Sequence, residues 1–509
     1  MRRFPEQAAA LAVLAAGLIF VCAAACSAAS SANISIGDYA YNDLERLEVK
    51  GLLKSQFLST KPFGRLEALR LLKEASEGLD ALDAGKRAEA QGIITRLKER
   101  LEGKGAEGNG FYARPVGGFY TRLVYAEERP YFLNVNNNGD VFEKGLNIRA
   151  GFSSEAGFPD FLTFYLNPEY RLDQGSSQAR LVRGYLLFDI KGLELLLGRD
   201  SMWWGPSEHG SLLISDNAKP FDMIKISSSS PFKLPWVLER IGDIKPTVFL
   251  TRLEEDRDFA RANLLGMRLD FKPAESFGFG LSRVFMFGGE GRGSLSFPDW
   301  VKVFFAADDS EHKKSPINGN QLASIDAYYV YVNRSGYIPF SGIKLYTEWG
   351  AEDSSGRTKT PSNRANIYGA LIDEPLWAEN FDMRVEWANT ARHQAYTLKW
   401  YTHGIYKTGY TYEGRLIGHH MGGDSQDLFI RVQRRLDNGA KLGIEADREW
   451  TDMHLSTRGK KTWLGLDATV PYKNGIILEG GFGLEDIEDP MSSAENNGVS
   501  VWARSSWEF

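Results

Sequence analysis

From Phe111 onward, apolar and polar residues alternate with a period of two, and no convincing helical period interrupts them. Leu265, Met267, Leu269 and Phe271 share one face, while Gly266, Arg268, Asp270 and Lys272 share the other. Phe381, Met383, Val385 and Trp387 oppose Asp382, Arg384 and Glu386 in the same way. Ala440, Leu442, Ile444 and Ala446 oppose Lys441, Gly443, Glu445 and Asp447. Successive side chains of an extended strand point to opposite faces, so each segment is a strand with one apolar and one polar side. Polar or glycine-rich loops separate them, as at Glu254–Asp258, Gly288–Gly293 and Asp308–Lys314. Two architectures produce this pattern. A soluble sandwich encloses the apolar faces; an outer-membrane barrel turns them to lipid and lines its lumen with the polar faces.

The end of the chain chooses between them. Val499, Val501, Ala503, Trp507 and Phe509 share one parity, with Ser505 among them; Ser500, Arg504, Ser506 and Glu508 share the other, with Trp502. A last strand finishing on Trp507 and Phe509 is similar to the signal read by the outer-membrane barrel assembly machinery. Composition agrees with a barrel. Hydrophobic residues at 43% and aromatics at 12% exclude a disordered chain. The runs of about 20 apolar residues that a helical multispan protein needs are missing. The 52 Gly, 21 Tyr and 12 Trp suit many turns and aromatic girdles at the membrane interfaces. A net charge of -6 supplies no basic excess for nucleic acid. Strands of about 9–11 residues with turns and longer loops, spread over roughly 400 residues, predict sixteen to twenty strands, with eighteen as the central even number. The expected fold is therefore mainly β: a closed antiparallel transmembrane β-barrel of about 18 strands at residues 111–509.

Two different segments precede it. Arg2 and Arg3, the apolar stretch from Ala8 to Ala25 and the small residues to Ala32 have the order of a secretory signal peptide over 1–32. The chain's 2 cysteines, Cys22 and Cys26, both lie there, so no disulfide is expected in the mature chain. Cys26 follows Ala23-Ala24-Ala25, without the larger aliphatic residue usual three positions before a lipidated cysteine. Residues 33–110 then read as a small helical bundle. Leu44 and Leu47 precede Gly51; Leu66, Leu69, Leu72 and Ala75 precede Gly78; Ile93, Ile94, Leu97 and Leu101 precede Gly103. These are amphipathic helices, with the glycines expected as left-handed stops. About three short helices are too few for an independent core, so they are expected to pack on the barrel. The Gly/Asn run 103–110 reads as the junction.

The segment Gly198-Arg199-Asp200-Ser201-Met202-Trp203-Trp204-Gly205-Pro206, continuing through His209-Gly210-Ser211-Leu212-Leu213 to Pro220-Phe221-Asp222-Met223-Ile224-Lys225, resembles the signature of the capsule assembly Wzi family. Leu44-Glu45-Arg46-Leu47, Gly51-Leu52-Leu53, Lys61-Pro62 and Arg65-Leu66-Glu67-Ala68 are similar to that family's N-terminal region. The resemblance implies an eighteen-strand outer-membrane barrel with the helical bundle at its periplasmic end and a blocked lumen. It also implies a lectin-like, non-catalytic role in anchoring or organising capsular or exopolysaccharide at the cell surface. The alternative on similar architecture is a passive carbohydrate porin, for which Glu169, Arg171 and Arg183 are equally suitable lumen residues. Expected partners are the polysaccharide, outer-membrane lipid and the barrel assembly machinery, with no nucleic acid and a monomeric state.

Candidate glycan contacts are Arg199, Asp200, Trp203, Trp204 and His209. Indoles stack on the apolar face of a pyranose while charged groups bond its hydroxyls. The competing reading makes the tryptophan pair a packed turn that wedges a loop inside the barrel. It is favoured because adjacent strand residues face opposite ways. His209-Gly210-Ser211 invites comparison with a serine hydrolase, but no orienting third residue stands out. His403, His419 and His420 have no thiolate partners and read as solvated loop histidines rather than metal ligands. Glu254, Glu255, Asp256 and Asp258 read as an acidic surface loop, and the glycines at 289, 291 and 293 lack the helix that a phosphate cradle needs. No metal and no cofactor is expected.

Overall fold

The computed structural model describes residues 30–102, 110–158, 161–293, 295–304, 317–352, 354–355, 360–361, 363–392, 398–455, 458–472, 475–488 and 495–508. Residues 1–29 of the expected signal peptide, with both cysteines, lie outside the described residues, as do 103–109 of the expected junction, loop 308–314 and Phe509.

Eighteen antiparallel strands close into one barrel. They are β1 Tyr112–Ala126, β2 Gly145–Phe158, β3 Leu162–Asp173, β4 Ser176–Ile190, β5 Leu193–Asp200 and β6 Phe221–Ser228. Next come β7 Asp243–Arg252, β8 Asn263–Ala274, β9 Phe277–Phe287, β10 Asn320–Val332, β11 Gly342–Glu352 and β12 Arg364–Asp373. The circuit ends with β13 Phe381–Asn389, β14 Gln426–Arg435, β15 Lys441–Thr451, β16 Gly459–Pro471, β17 Ile476–Glu488 and β18 Glu495–Glu508. Each pairs with its neighbours in sequence, and β18 returns to β1 in the register Gly118↔Glu508 to Ala126↔Ser500. Closure matters because an open edge in hydrocarbon would leave N–H and C=O groups unpaired at several kcal/mol each.

The alternation resolves in the sense a membrane barrel requires. Arg268, Asp270, Lys272, Arg384, Glu386, Lys441, Asp447 and Ser500 are buried, whereas Leu442, Ile444, Val501 and Trp507 on the opposite parity are exposed. Polar groups inside and apolar groups outside are the reverse of a sandwich. On the outer face of β11–β13, Trp349, Tyr368 and Trp387 form a row with centroids 6.5 and 6.0 Å apart, placed as an interfacial aromatic belt. No described helix is long and apolar enough to cross a membrane; the strands are the candidates for crossing.

The helical segment comprises α1 Ala40–Val49, α2 Arg65–Glu77 and α3 Ala84–Glu102. Leu44, Leu47, Leu71, Leu72, Ile93, Ile94 and Leu97 pack together as its own core. Gly51 takes the left-handed conformation expected of a helix stop, with φ 77°. Gly78 does not: it ends α2 at φ -90° because the chain turns at once into the 3-10 turn Leu79–Ala81.

The helices dock against the end of the barrel where the chain enters and leaves it, and α1 is buried on its charged sides as well as its apolar one. Glu45 meets Lys344 Nζ at 3.0 Å and Arg384 Nη2 at 2.6 Å, and Glu48 meets Lys344 Nζ at 2.8 Å. Asp43 lies 2.7 Å from Lys441 Nζ and also pairs with Arg435. Arg46 and Lys50 both reach Asp373, at 2.7 and 3.0 Å. Polar positions of the barrel wall thus supply counter-charges to a helix that alone would keep these groups in water.

Candidate functional site: a plugged lumen with an arginine-lined cavity

Three connections at the other end of the barrel, 127–144, 201–220 and 398–425, send residues inward rather than only outward. Their apolar residues, including Trp204, Leu212, Leu213, Ile214, Tyr401, Tyr406, Tyr410 and Ile417, form one buried cluster with wall residues Leu187, Leu196, Phe249 and Leu264. Two of the loops are tied together directly. Tyr401 Oη donates to the Leu212 carbonyl at 2.7 Å, Tyr410 Oη to the Leu213 carbonyl at 2.9 Å, and Ser215 N to the Ile417 carbonyl at 2.9 Å.

The wall holds the 201–220 loop through carboxylates that accept its backbone N–H groups. Glu386 accepts from Glu208 N at 2.8 Å and His209 N at 3.0 Å, and Glu348 accepts from Leu212 N at 3.1 Å. The wall thereby satisfies backbone donors that a tight loop inside a barrel cannot satisfy by itself. Gly210 approaches so closely that a Cβ there would lie 2.2 Å from His419 Nε2.

Trp203 and Trp204 are 3% and 1% exposed. They pair with Lys61 and Thr60 in a two-residue ladder, Trp203 Nε1 donates to the Ser207 carbonyl at 3.0 Å, and Trp204 packs edge-on against Phe249. This is the packed-turn arrangement, and it leaves neither indole a free face. Asp200 is fully buried; its Oδ2 accepts from Asn33 Nδ2 at 2.8 Å, and Arg183 lies 3.5 Å from its Oδ1. Arg199 lies on the opposite parity, on the barrel's outer face, paired with Asp222 at 2.5 Å. The sequence-adjacent pair therefore separates to two sides of the wall.

His209 turns away from Ser211. Its Nε2 lies 2.7 Å from Asp447 Oδ2 and its ring stacks on Phe429 at 4.0 Å, while the Ser211 hydroxyl donates to the Trp204 carbonyl. The two side chains make no nucleophile–base pair. Burial opposes the charged imidazolium of His209, but Asp447 and Asp427 outweigh it and hold the pKa well above the usual histidine range. His419 goes the other way: burial, then His420, push it down to about 3.

Two expectations are corrected here. His419 and His420 are not solvated loop histidines; they are 2% and 6% exposed because their loop folds into the lumen. Only His403 remains half-buried, its Nδ1 accepting from Ile405 N and Tyr406 N at 3.2 Å. The acidic run is also more than a surface loop. Glu254 pairs with Arg257 at 3.1 Å, and Asp258 accepts from Lys407 N at 2.6 Å and Thr408 Oγ1 at 2.9 Å, clamping the 398–425 loop. Gly288, Gly289 and Gly291 all take positive φ, as a tight turn requires.

Beside the plug lies a cavity of about 510 Å³, bounded by β1–β4, β17, β18, the inward loops and, toward the helix-docked end, residues 32–35 and 37–39, Arg65 and Arg100 of the helical segment. Sequence reasoning missed it, because its residues come from strands far apart in the chain. Arg114, Arg122, Arg149, Arg180, Arg183 and Arg504 line it together with Tyr120, Trp502, Asn137 and Asp216. Most of these guanidiniums are paired: Arg149 with Asp140 at 2.8 Å, Arg180 with Glu169 at 2.8 Å, Arg504 with Glu479 at 3.3 Å. Arg122 is different. It donates to Asn137 Oδ1 at 3.1 Å and lies between the Phe142 and Trp502 rings, at 4.7 and 5.6 Å, and has no carboxylate partner among the described residues. Asp216, on the plug side, has its pKa raised by burial to about 7.

Fold and site together define a closed β-barrel whose polar lumen is plugged from both ends. The family model for capsule assembly protein Wzi matches residues 124–498, and the chain belongs to that family. It is 27% identical over 359 residues to an uncharacterized 55.8 kDa protein in the cps region of Klebsiella pneumoniae, a match spanning 64% of this chain and 64% of that protein. Its structure aligns with Wzi, described as an outer membrane protein involved in group 1 capsule assembly in Escherichia coli and a carbohydrate-binding β-barrel. That alignment has a TM-score of 0.72 and 19% identity, and covers 96% of this chain and 100% of that one.

Proposed function

We propose that this chain is an outer-membrane carbohydrate-binding barrel that retains capsular or secreted polysaccharide at the cell surface and catalyses no reaction. The observation that carries the reading is the occupied lumen: helix and inward loops fill it, yet leave beside β1–β4 a cavity in which guanidiniums and aromatic rings stand among carboxylates such as Asp140, Glu169 and Glu479. Planar cationic donors beside apolar ring faces match the alternating hydroxyl, carboxylate and C–H surfaces of an acidic glycan. Membership of the capsule assembly family and the description of the E. coli relative support the same conclusion.

In this reading residues 1–32 export the chain, the barrel assembly machinery reads the last strand, and residues 33–110 face the periplasm. Lipid surrounds the apolar outer face of 111–509, and the protein acts as a monomer. One long polymer touching many barrels is held by the sum of weak contacts, since linked binding events raise avidity without new contacts. The test is a chromosomal deletion with cell-bound and released polysaccharide assayed separately. The expected result is unchanged total polymer with most of it moved to the medium; unchanged cell-bound polymer overturns the proposal. Planar-bilayer recordings separate the porin alternative, for which a large steady conductance is the signature and silence the expected outcome here.

A further inference from the structure

Four segments distant in sequence meet at the seam between the plug and the β14–β15 wall. His209 comes from the 201–220 loop, His420 from the 398–425 loop, Asp427 from β14 and Asp447 from β15. One ligand atom from each lies within 4.8 Å of all the others. Asp427 Oδ2 is 3.3 Å from His420 Nε2 and 3.5 Å from His209 Nε2, and Asp447 Oδ2 is 2.7 Å from His209 Nε2. In a tetrahedron with metal–ligand bonds of about 2.0–2.1 Å, donor atoms stand about 3.3–3.4 Å apart. Two of the cluster's separations, 3.3 and 3.5 Å, have that spacing, and all lie within 4.8 Å.

The hydrogen bonding around this cluster is incomplete. Asp427 is 1% exposed and His420 is 6% exposed, yet neither carboxylate oxygen of Asp427, nor His420 Nε2, makes a hydrogen bond of good geometry among the described residues, although the imidazoles approach Asp427 Oδ2 at 3.3 and 3.5 Å. Buried carboxylates are paired, hydrogen-bonded or bound to metal, because an uncompensated one costs several kcal/mol. The nearby Glu449 is already neutralised by Lys461 Nζ at 2.8 Å and accepts from Tyr131 Oη at 3.0 Å. Asp427 and Asp447 then face the two imidazoles, with Glu449 Oε1 also 3.2 Å from His420 Nε2. A divalent cation with neutral histidines balances the two aspartates. Both rings are already aimed: His209 is stacked on Phe429, and His420 has Nδ1 toward Asn136 at 3.5 Å and Nε2 toward the carboxylates.

We propose that His209, His420, Asp427 and Asp447 form a structural site for a borderline divalent transition cation such as Zn²⁺, which staples both plug loops to the barrel wall. Two imidazoles and two carboxylates suit such an ion better than Ca²⁺ or Mg²⁺, which prefer oxygen ligands only. The site joins loops that the fold otherwise holds by packing and single hydrogen bonds. It stands on this geometry and not on the glycan-binding reading.

The test uses the full-length protein in detergent, isolated without chelator and analysed for bound metal, then stripped with EDTA and titrated with Zn²⁺ and Co²⁺. The expected result is about one metal per chain, with Co²⁺ giving the visible bands of a tetrahedral site and Zn²⁺ displacing them. D427N and H420Q are expected to lose stoichiometric metal while keeping the heat-modifiable gel migration of a closed barrel. D452N, in the separate Asp424, Asp452 and His454 group, is expected to keep it. A folded wild-type protein that takes up neither Zn²⁺ nor Co²⁺ stoichiometrically overturns the proposal, whatever the variants do, and leaves imidazolium–carboxylate ion pairs only.

Discussion

The two sides of this barrel's interior are built from the same alternating strands and differ in what the plug does against them. Along β10–β15 the plug is docked. Glu45 and Glu48 of α1 meet Lys344 and Arg384, Asp43 meets Lys441, and the inward loops meet Glu348, Glu386, Asp427 and Asp447. Along β1–β4 and β17–β18 the plug is tied at fewer points, through Asp140 to Arg149 and through Tyr131 N and Phe132 N to Glu485, and a cavity remains between them in which Arg122 pairs directly with no carboxylate among the described residues. Satisfied charge seals a surface, and unsatisfied charge beside an aromatic face keeps a surface available for a ligand.

Breaking the docked side should have the largest effect. Glu45→Ala removes the carboxylate that bridges Lys344 and Arg384, leaving Lys344 with Glu48 alone and Arg384 with Glu208 and Glu386, and breaking a buried pair in this way costs up to about 3–5 kcal/mol. Limited proteolysis of the folded barrel is expected to cut the helical segment in this variant and spare it in the wild type. Acid should act on the same side with a somewhat smaller effect. Burial disfavours the charged form of Asp43, but Lys441 and Arg435 prevail and lower its pKa to about 2. A carboxylate held below its ordinary pKa of 3.8 contributes stability that is complete above pH 4 and is lost as pH falls toward 2. The size is about 2 kcal/mol for Asp43. Glu89 is held near 2 in the same sense, by Arg46 and Lys50 against the opposing effect of burial. Proteolysis below pH 4 should therefore release the helices before the barrel opens; Asp43→Asn should flatten that pH dependence.

The open side should respond in binding rather than in stability. Arg122→Ala is expected to weaken binding of an acidic polysaccharide by about tenfold, or 1.4 kcal/mol, with no change in the barrel's unfolding temperature. Equal losses of binding and stability would mean that Arg122 holds the plug as the docked side does. The smallest effect is expected outside the lumen. Arg199 pairs with Asp222, whose side chain is 57% exposed on the outer face, so Arg199→Ala should change stability by no more than about 1 kcal/mol and leave polysaccharide binding unaltered.

Much of this architecture was legible from residue order alone. Strand parity at 265–272, 381–387 and 440–447 placed the correct residues on the lumen side, because the period of a strand is local and needs no partner. The helices at 40–102 were visible for the same reason. Other features were not local. α1 reads as an ordinary amphipathic helix through Leu44 and Leu47; that Asp43, Glu45, Arg46 and Glu48 would also be buried depends on Lys441, Lys344, Arg384 and Asp373, about 300–400 positions away. Gly78 lost its expected left-handed role to a turn that follows immediately.

The candidate site shows the same division. Sequence placed Trp203, Trp204 and His209 in a glycine- and proline-broken loop between two strands and left the indoles as glycan contacts or a packed turn, with the turn favoured. Tertiary structure decided that Arg199 and Asp200 face opposite sides of the wall, that His419 and His420 are buried, and that eight arginines share one cavity. The physical reason is that alternation specifies which side of a strand a residue occupies, whereas closing eighteen strands into a ring and folding their loops inward specifies which residues meet across it.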